Sequence, residues 1–163
     1  MAKRTTPRDG TSTIAANRRA RHEYSVLDTV EAGIVLRGSE VKSLRLGQVQ
    51  LADAYARVSG DELWLEGVHI APYQFANGVG AHDPDRRRKL LLHRDEIDRL
   101  SARVNQERLA LIPLRLYFRD GRAKVELALA KGRQKGDKRQ AIAERDSKRE
   151  IERALGRARK GME

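Results

Sequence analysis

The sequence predicts a small, mainly antiparallel β domain with a few short helices and a flexible, basic C-terminal tail. Three observations lead there. Between residues 24 and 130, apolar residues recur at period two in several short runs separated by turn dipeptides. Helical spacing of apolar residues appears in only two or three short stretches. Residues 131–163 hold twelve Lys/Arg, six Asp/Glu, no aromatic residue and only Ile142, Ile151, Leu155 and Met162 as large aliphatics. Such a segment buries too little apolar surface to offset the entropy of ordering itself, so it needs a partner.

Charge says what kind of partner. The 163 residues suit one domain with appendages, and the net charge of +11 is unevenly placed. Residues 1–21 carry six positive charges and one negative; residues 22–130 carry sixteen of each; the tail carries the rest. A neutral body with two basic ends fits a folded unit with arms for nucleic acid or an anionic surface. The membrane option is weak. No apolar run approaches the roughly 20 residues of a spanning helix, the start MAKRTTPRDGTST has no apolar signal segment, and the tail has few residues that an interfacial helix would bury. The absence of cysteine removes disulfides, thiolate metal sites and thiol catalysis together. These features predict a cytoplasmic protein.

In chain order, residues 1–13 read as a disordered basic N-terminus. A short helix is expected over Ile14–His22, capped by Thr13, with Asn17, Arg18, Arg19 and Arg21 crowded within about one turn. Tyr24–Leu36 reads as one or two strands bent at Gly33. The stretch from Gly38 to Gly47 reads as a helix with Val41, Leu44 and Leu46 inward and Lys42 and Arg45 together on the opposite face. Ala54–Ser59 and Glu62–Ile70 form a hairpin across Gly60-Asp61. Pro72–Pro84 is a long loop, after which Arg86–Lys89 run into Leu90-Leu91-Leu92. A helix over His93–Gln106 turns Ile97, Leu100 and Val104 inward. The clearest hairpin joins Leu109–Arg119 to Arg122–Ala130 through Asp120-Gly121, with Leu114, Leu116 and Phe118 alternating against Arg115, Tyr117 and Arg119. Six or seven such strands fit an antiparallel Greek-key barrel of the oligonucleotide-binding (OB) type, which hides its sheet edges; a half-open sandwich is the alternative.

Converging catalytic groups are not found. His22, His69, His82 and His93 have no metal-ligand spacing, and no P-loop, G-x-S-x-G or G-x-G-x-x-G occurs. Gly78-Val79-Gly80 lacks flanking strand–helix signals and reads as flexible loop. No metal and no cofactor is expected, although a metal-dependent nuclease stays open until geometry is seen. Arg86–Lys89 is either a solvated run or an RNA-facing rim, with its position favouring the rim. Trp64 and Tyr55 could stack on bases, but aromatics at strand period are more often core; Leu91 reads by default as core. Glu31, a carboxylate among basic neighbours, is either an ion-pair partner or an acceptor for base amino groups. The tail, whose Ile151, Leu155, Ala158 and Met162 would form one helical stripe weakened by Gly156 and Gly161, is either a solubilising appendage or a segment that is disordered when free and helical when bound to RNA.

Several strings taken in order, IAANRRARHEY, GSEVKSLRLG, HIAPY, DPDRRRKLLL and AKGRQKGDKR, resemble the SsrA-binding protein family, also called small protein B, from Ile14 to Arg145. The resemblance implies an OB-type barrel over 14–130, a basic tail over 131–163, and a non-enzymatic adaptor. It would bind transfer-messenger RNA as a monomer and take it to the decoding centre and message channel of stalled ribosomes for trans-translation. It further implies RNA contacts at Asn17, Glu31 and Leu91, with Arg18, Arg21, Tyr24, Lys42, Arg45 and Lys89 completing that face. Glu31→Ala or Asn17→Ala is then expected to weaken RNA binding and leave the fold intact. The decoding-centre motif would comprise Lys131, Gly132, Arg133, Gly136, Asp137, Lys138 and Arg139, with Asp137–Arg139 as a hinge. Two departures stand out: Gly136 occupies a position where the family usually has an aromatic residue or histidine, and Glu107-Arg108-Leu109 replaces a usual glycine-containing turn. The runner-up function is a barrel-type ribosomal protein or general RNA chaperone.

Overall fold

A computed structural model describes residues 10–75, 81–133 and 135–161. Gly78-Val79-Gly80 and most of the expected disordered N-terminus lie outside the described residues, as does Met162 of the expected tail stripe. The chain divides into two compact units, Met1–Gly132 and Arg133–Glu163.

The first unit is mainly antiparallel β-sheet. Its elements are β1 (Thr11–Ala16), α1 (Ala20–Glu23), β2 (Tyr24–Ile34), α2 (Gly38–Arg45), β3 (Val49–Gln50), β4 (Tyr55–Ser59), β5 (Glu62–Glu66), β6 (His69–Ile70), β7 (Arg88–Leu91), α3 (Arg94–Glu107), β8 (Ala110–Arg119) and β9 (Arg122–Gly132). Seven strands form one sheet in the order β1-β8-β4-β5-β7-β2-β9, with β8 also paired to β9; β3 and β6 form a separate ladder. Nine strands among the described residues exceed the six or seven expected, because β3 and β6 are two-residue strands with no periodicity to read.

The helix expected over Ile14–His22 is absent. Thr11–Ala16 instead pairs with Arg119–Arg115 of β8, and only the single turn Ala20–Glu23 is helical. Tertiary pairing overrides a stretch too short to nucleate a helix by itself. The expected body limits at 14 and 130 cut into β1 and β9.

Asp120 and Gly121 adopt φ of 50° and 78°, the left-handed pair of a type I′ turn, which matches strand twist and fixes the β8–β9 register. An irregularity between Pro113 and Arg115 shifts the parity of β8. Leu111 and Leu116 therefore enter the main core, whereas Ile112 and Leu114 pack in a second cluster with Ala20, Ala128 and Ala130 beneath α1. Leu114 does not share a face with Leu116 and Phe118 as plain alternation implied. The main core holds Leu63, Leu65, Leu90, Leu116, Val125 and Leu127, each at most 1% exposed. Truncating such a leucine to alanine typically costs about 2–5 kcal/mol.

Gly67 separates β5 from β6. Its φ is 78°, and a Cβ there would lie 2.6 Å from the Asp53 carbonyl oxygen, so the chain turns at the one residue without a side chain. Beyond it, the run Arg86–Lys89 does not form one rim: Arg87 is exposed and Lys89 faces outward, whereas Arg88 turns inward. Arg88 is 0% exposed and Glu40 of α2 is likewise buried. Arg88 Nε donates to Glu40 Oε2 at 2.7 Å, and its terminal nitrogens donate to the Val68 and Pro84 carbonyls at 2.7 and 3.0 Å. Arg86 donates to Glu40 Oε1, which also accepts from the Arg37 backbone N–H at 2.8 Å and so caps α2. The inward face of α2 is accordingly Ser39, Glu40, Ser43 and Leu44, while Leu46, expected inside, is exposed.

The second unit is one helix, α4 (Lys135–Lys160). The sequence led us to expect disorder here in the free protein. Side chains from Ile142 through Arg157 are all exposed, including Ile142, Ile151 and Leu155, so this helix rests on local terms such as the favourable Glu144–Lys148 spacing. No described helix is long and apolar enough to cross a membrane.

Candidate nucleic-acid interface

The interface is best built from β2. After the irregularity between Val26 and Asp28, Ala32 points into the core and Glu31 and Gly33 point away from it. Glu31 stands opposite Glu126 of β9, which would repel it unless both were neutralised. Two arginines of β8 do so. Arg119 Nη1 lies 2.6 Å from Glu31 Oε2, and Arg115 Nε donates to Glu126 Oε2 at 2.6 Å.

Between these arginines sits Tyr117, only 2% exposed, with the Arg115 guanidinium 4.3 Å and that of Arg119 5.7 Å from its ring centroid. The Tyr117 hydroxyl donates to Glu31 Oε2. Burial and this bond to a carboxylate push the phenol pKa well above its ordinary value, so Tyr117 remains a donor at all physiological pH. Both of Glu31's bonds end on Oε2; Oε1 accepts none among the described residues.

Gly33 pairs directly with Leu91 of β7, and a Cβ on Gly33 would come within 3.2 Å of Leu91 Cβ. Glycine therefore lets Leu91 lie over the strand with 52% of its surface exposed. Glu31, Gly33, Leu91, Leu92, His93, Glu96 and Lys124 line one shallow depression of about 370 Å³. The structure thus brings Glu31 and Leu91 together. An anchored carboxylate with a free oxygen, beside an exposed leucine and a lysine, can accept from a base amino group while the leucine packs on a base or sugar.

Asn17 is placed differently. It is 6% exposed; its Nδ2 donates to the Leu51 and Pro113 carbonyls at 3.3 and 3.2 Å, and its Oδ1 accepts from Ala20 N–H at 3.2 Å. This residue is a strut that sets the start of α1, and the expectation that its removal leaves the fold intact is not supported. Around it Arg18 and Arg21 are exposed, while Tyr24 is half-buried against the second cluster, at the end of β2 that pairs with Gly132. Tyr24 and Val26 share their face of the β2–β9 ladder with Glu31, but at its other end. Lys42 and Arg45 are exposed on α2, Lys42 Nζ lying 5.3 Å from the Tyr73 ring centroid. Among the described residues no bond or ion pair joins them to Glu31 or Leu91. Lys89 faces outward on β7 and is paired with Glu62 at 3.0 Å.

Of the expected decoding-centre set, Lys131 and Gly132 end β9 opposite Ser25 and Tyr24. Arg133 follows, and Gly136, Asp137, Lys138 and Arg139 fall within α4, so the backbone is helical where a hinge was expected. Arg115, Tyr117, Arg119, Lys124 and Glu126 were missed. Counting back from the Asp120-Gly121 turn sets Tyr117 opposite Lys124 and Arg115 opposite Glu126, but nothing in the linear string brings Tyr117 and Arg119 of β8 against Glu31 of β2. Among the described residues no group of three or more His, Cys, Asp or Glu side chains could hold a metal ion.

Comparison with known proteins places this geometry in context. The SsrA-binding protein of Saccharopolyspora erythraea is 59% identical over 152 residues, covering 93% of this chain and 96% of that protein. The SsrA-binding protein of Desulforudis audaxviator is 56% identical over 147 residues, covering 90% and 95%. A solved chain from a structure described as "tmRNA-SmpB: a journey to the center of the bacterial ribosome" is similar at 48% identity with a TM-score of 0.63, over 78% of this chain and 93% of that one. The family model for the SmpB protein matches residues 14–157. The chain belongs to the SmpB family.

Proposed function

We propose that this chain is a non-enzymatic RNA-binding adaptor of the bacterial cytoplasm. It binds the tRNA-like domain of transfer-messenger RNA as a monomer and delivers it to ribosomes stalled on truncated messages, for rescue and peptide tagging. The observation that carries the reading is the surface joining Glu31 to Leu91. It has a carboxylate oriented by Tyr117 and Arg119, one unused oxygen, and an exposed leucine that has no packing reason to be exposed. A relative at 48% identity described as tmRNA-SmpB on the ribosome supports it. Glu31 and Leu91 form the base-reading centre. Arg18, Arg21, Lys42 and Arg45 supply phosphate contacts around it, and Asn17 and Tyr24 hold the α1 end.

The domain is an OB-type Greek-key barrel. The ladders support closure: partners followed from β8 through β4, β5, β7, β2 and β9 lead back to β8. Residues 131–163 act separately, with the segment from Lys131 to Arg139 meeting the decoding centre and the rest of α4 ordered on ribosomal RNA.

The test is recovery of RNA bound to the protein in cell extract, followed by titration. One structured RNA should bind at least about a thousandfold more tightly than generic duplex or single strand at physiological salt. Equal affinity for all three would refute the adaptor and leave a general RNA chaperone. Release of cleaved RNA in the presence of divalent metal would refute its non-enzymatic character.

A further inference from the structure

The outer surface of β4, β5 and β7 carries a cluster that lies outside the Glu31–Leu91 depression. Strand register sets Arg57, Trp64 and Lys89 side by side across the three strands. Lys89 is paired with Glu62 at 3.0 Å and Arg57 with Glu66 at 3.1 Å. Arg87, just before β7, is exposed and makes no ion pair among the described residues; its guanidinium lies 4.3 Å from the centroid of the Trp64 ring. Strand alternation puts Arg87 and Lys89 on the same side as Leu91, while Arg88 and Leu90 enter the interior at 0% and 1% exposure. The stacked pair therefore lies on the face that leads along β7 to the Glu31 depression.

We propose that Trp64 and Arg87 form a base-stacking subsite that extends the RNA interface beyond Leu91 and receives an unpaired nucleobase. Three features favour a base over a phosphate. The nearest cations, Lys89 and Arg57, already have carboxylate partners that would repel a phosphate track. The one unpaired cation is a planar guanidinium, which stacks on a base and on an indole alike. A half-buried indole on an outer strand face fills no core position, and a π-surface backed by arginine is what sequence-tolerant stacking uses. This inference rests on the RNA-binding reading and deepens it.

Trp64 is the single tryptophan of the chain, so its fluorescence reports on the subsite directly. The full chain is titrated with the tRNA-like domain of transfer-messenger RNA, following Trp64 emission and electrophoretic mobility together. Emission should change and saturate with the mobility shift. Arg87→Lys, which keeps the charge but loses the plane, should weaken binding about 5- to 20-fold, as should Trp64→Leu, the range expected for one lost stacking contact. Trp64→Phe should restore most of the affinity. The salt dependence for Arg87→Lys should stay that of the unaltered protein, because no phosphate contact is removed. A mobility shift with unchanged emission, or Arg87→Lys binding like the unaltered chain, would overturn the subsite while leaving the RNA-binding function standing. No shift with any concentration of that RNA would overturn both. The emission measurement needs no variant, so it decides the matter even if a substitution unfolds the protein.

Discussion

Glu31 is fixed through Oε2 alone, and this division between its two oxygens makes substitutions there informative. Glu31→Gln retains an acceptor for Tyr117, whereas Glu31→Ala leaves the Tyr117 hydroxyl and Arg119 without it. Both should weaken RNA binding about tenfold, the scale of one lost base contact. Only Glu31→Ala should also lower stability, by about 1–3 kcal/mol, the penalty for an unsatisfied buried donor; denaturant midpoints measured beside RNA titrations separate the two effects. Asn17→Ala should behave as a stability variant on the same scale, since it strips partners from the Leu51 and Pro113 carbonyls. At this scale the sequence was legible in types and blind to direction. Glu31 was recognisable as out of place, yet nothing in a linear string tells that Tyr117 and Arg119 hold it. Leu91 read as core, because a triple-leucine run gives no sign that the middle residue faces out over a glycine on the neighbouring strand.

Elements were legible where a local rule sufficed. The Asp120-Gly121 hairpin and the inward stripe of α3 follow from turn chemistry and period alone. The start of the chain was not legible, since β1 exists by virtue of β8, a hundred residues away. Two elements carry testable strain or charge. Helix α3 ends on Arg108 in a left-handed conformation with φ of 51°, a state that costs about 1 kcal/mol for a residue with a side chain. Arg108→Gly should raise unfolding free energy by roughly 0.5–1 kcal/mol after its entropic offset, measurable by denaturant titration. Helix α2 is tied to β7 by Glu40. Burial alone would raise the pKa of this carboxyl, but hydrogen bonds from Arg37 N–H, Arg86 and Arg88 outweigh it and hold the pKa below its ordinary value. With the folded-state pKa below the unfolded one, Glu40 contributes its full share at neutral pH. That share shrinks from about pH 4.5 downward and is gone below the folded-state value. Glu40→Gln should therefore lower stability at pH 7 and flatten the acid limb of a stability–pH curve; an unchanged acid limb would show that other carboxylates govern it.

At the scale of the whole molecule, charge placement sets a neutral body between basic ends, the pattern of a folded unit with arms for nucleic acid. Removing residues 133–163 should leave binding of the tRNA-like domain within about threefold and abolish peptide tagging on stalled ribosomes in a reconstituted system. Loss of RNA binding on truncation would show that the two units do not divide the work. The mainly antiparallel sheet was also legible, because period-two runs between turn dipeptides leave few alternatives. The helix over 135–160 was legible only as a stripe of Ile151, Leu155 and Ala158 weakened by glycine, which carries too little apolar surface to set its extent. The basic run at 86–89 was legible only in part: four like charges in a row look like one surface, yet alternate residues of a strand point to opposite sides.

That alternation has a consequence for how the chain can vary. Arg88 is neutral to its surroundings only while Glu40 is present, and Glu40 is tolerable in the interior only while Arg86 and Arg88 bond it. Removing Glu40 or Arg88 strands a charge in the core, a loss of about 3–5 kcal/mol, whereas exchanging the set together for apolar residues of similar volume can be neutral. Positions 40, 86 and 88, drawn from two distant parts of the sequence, therefore behave as one heritable character.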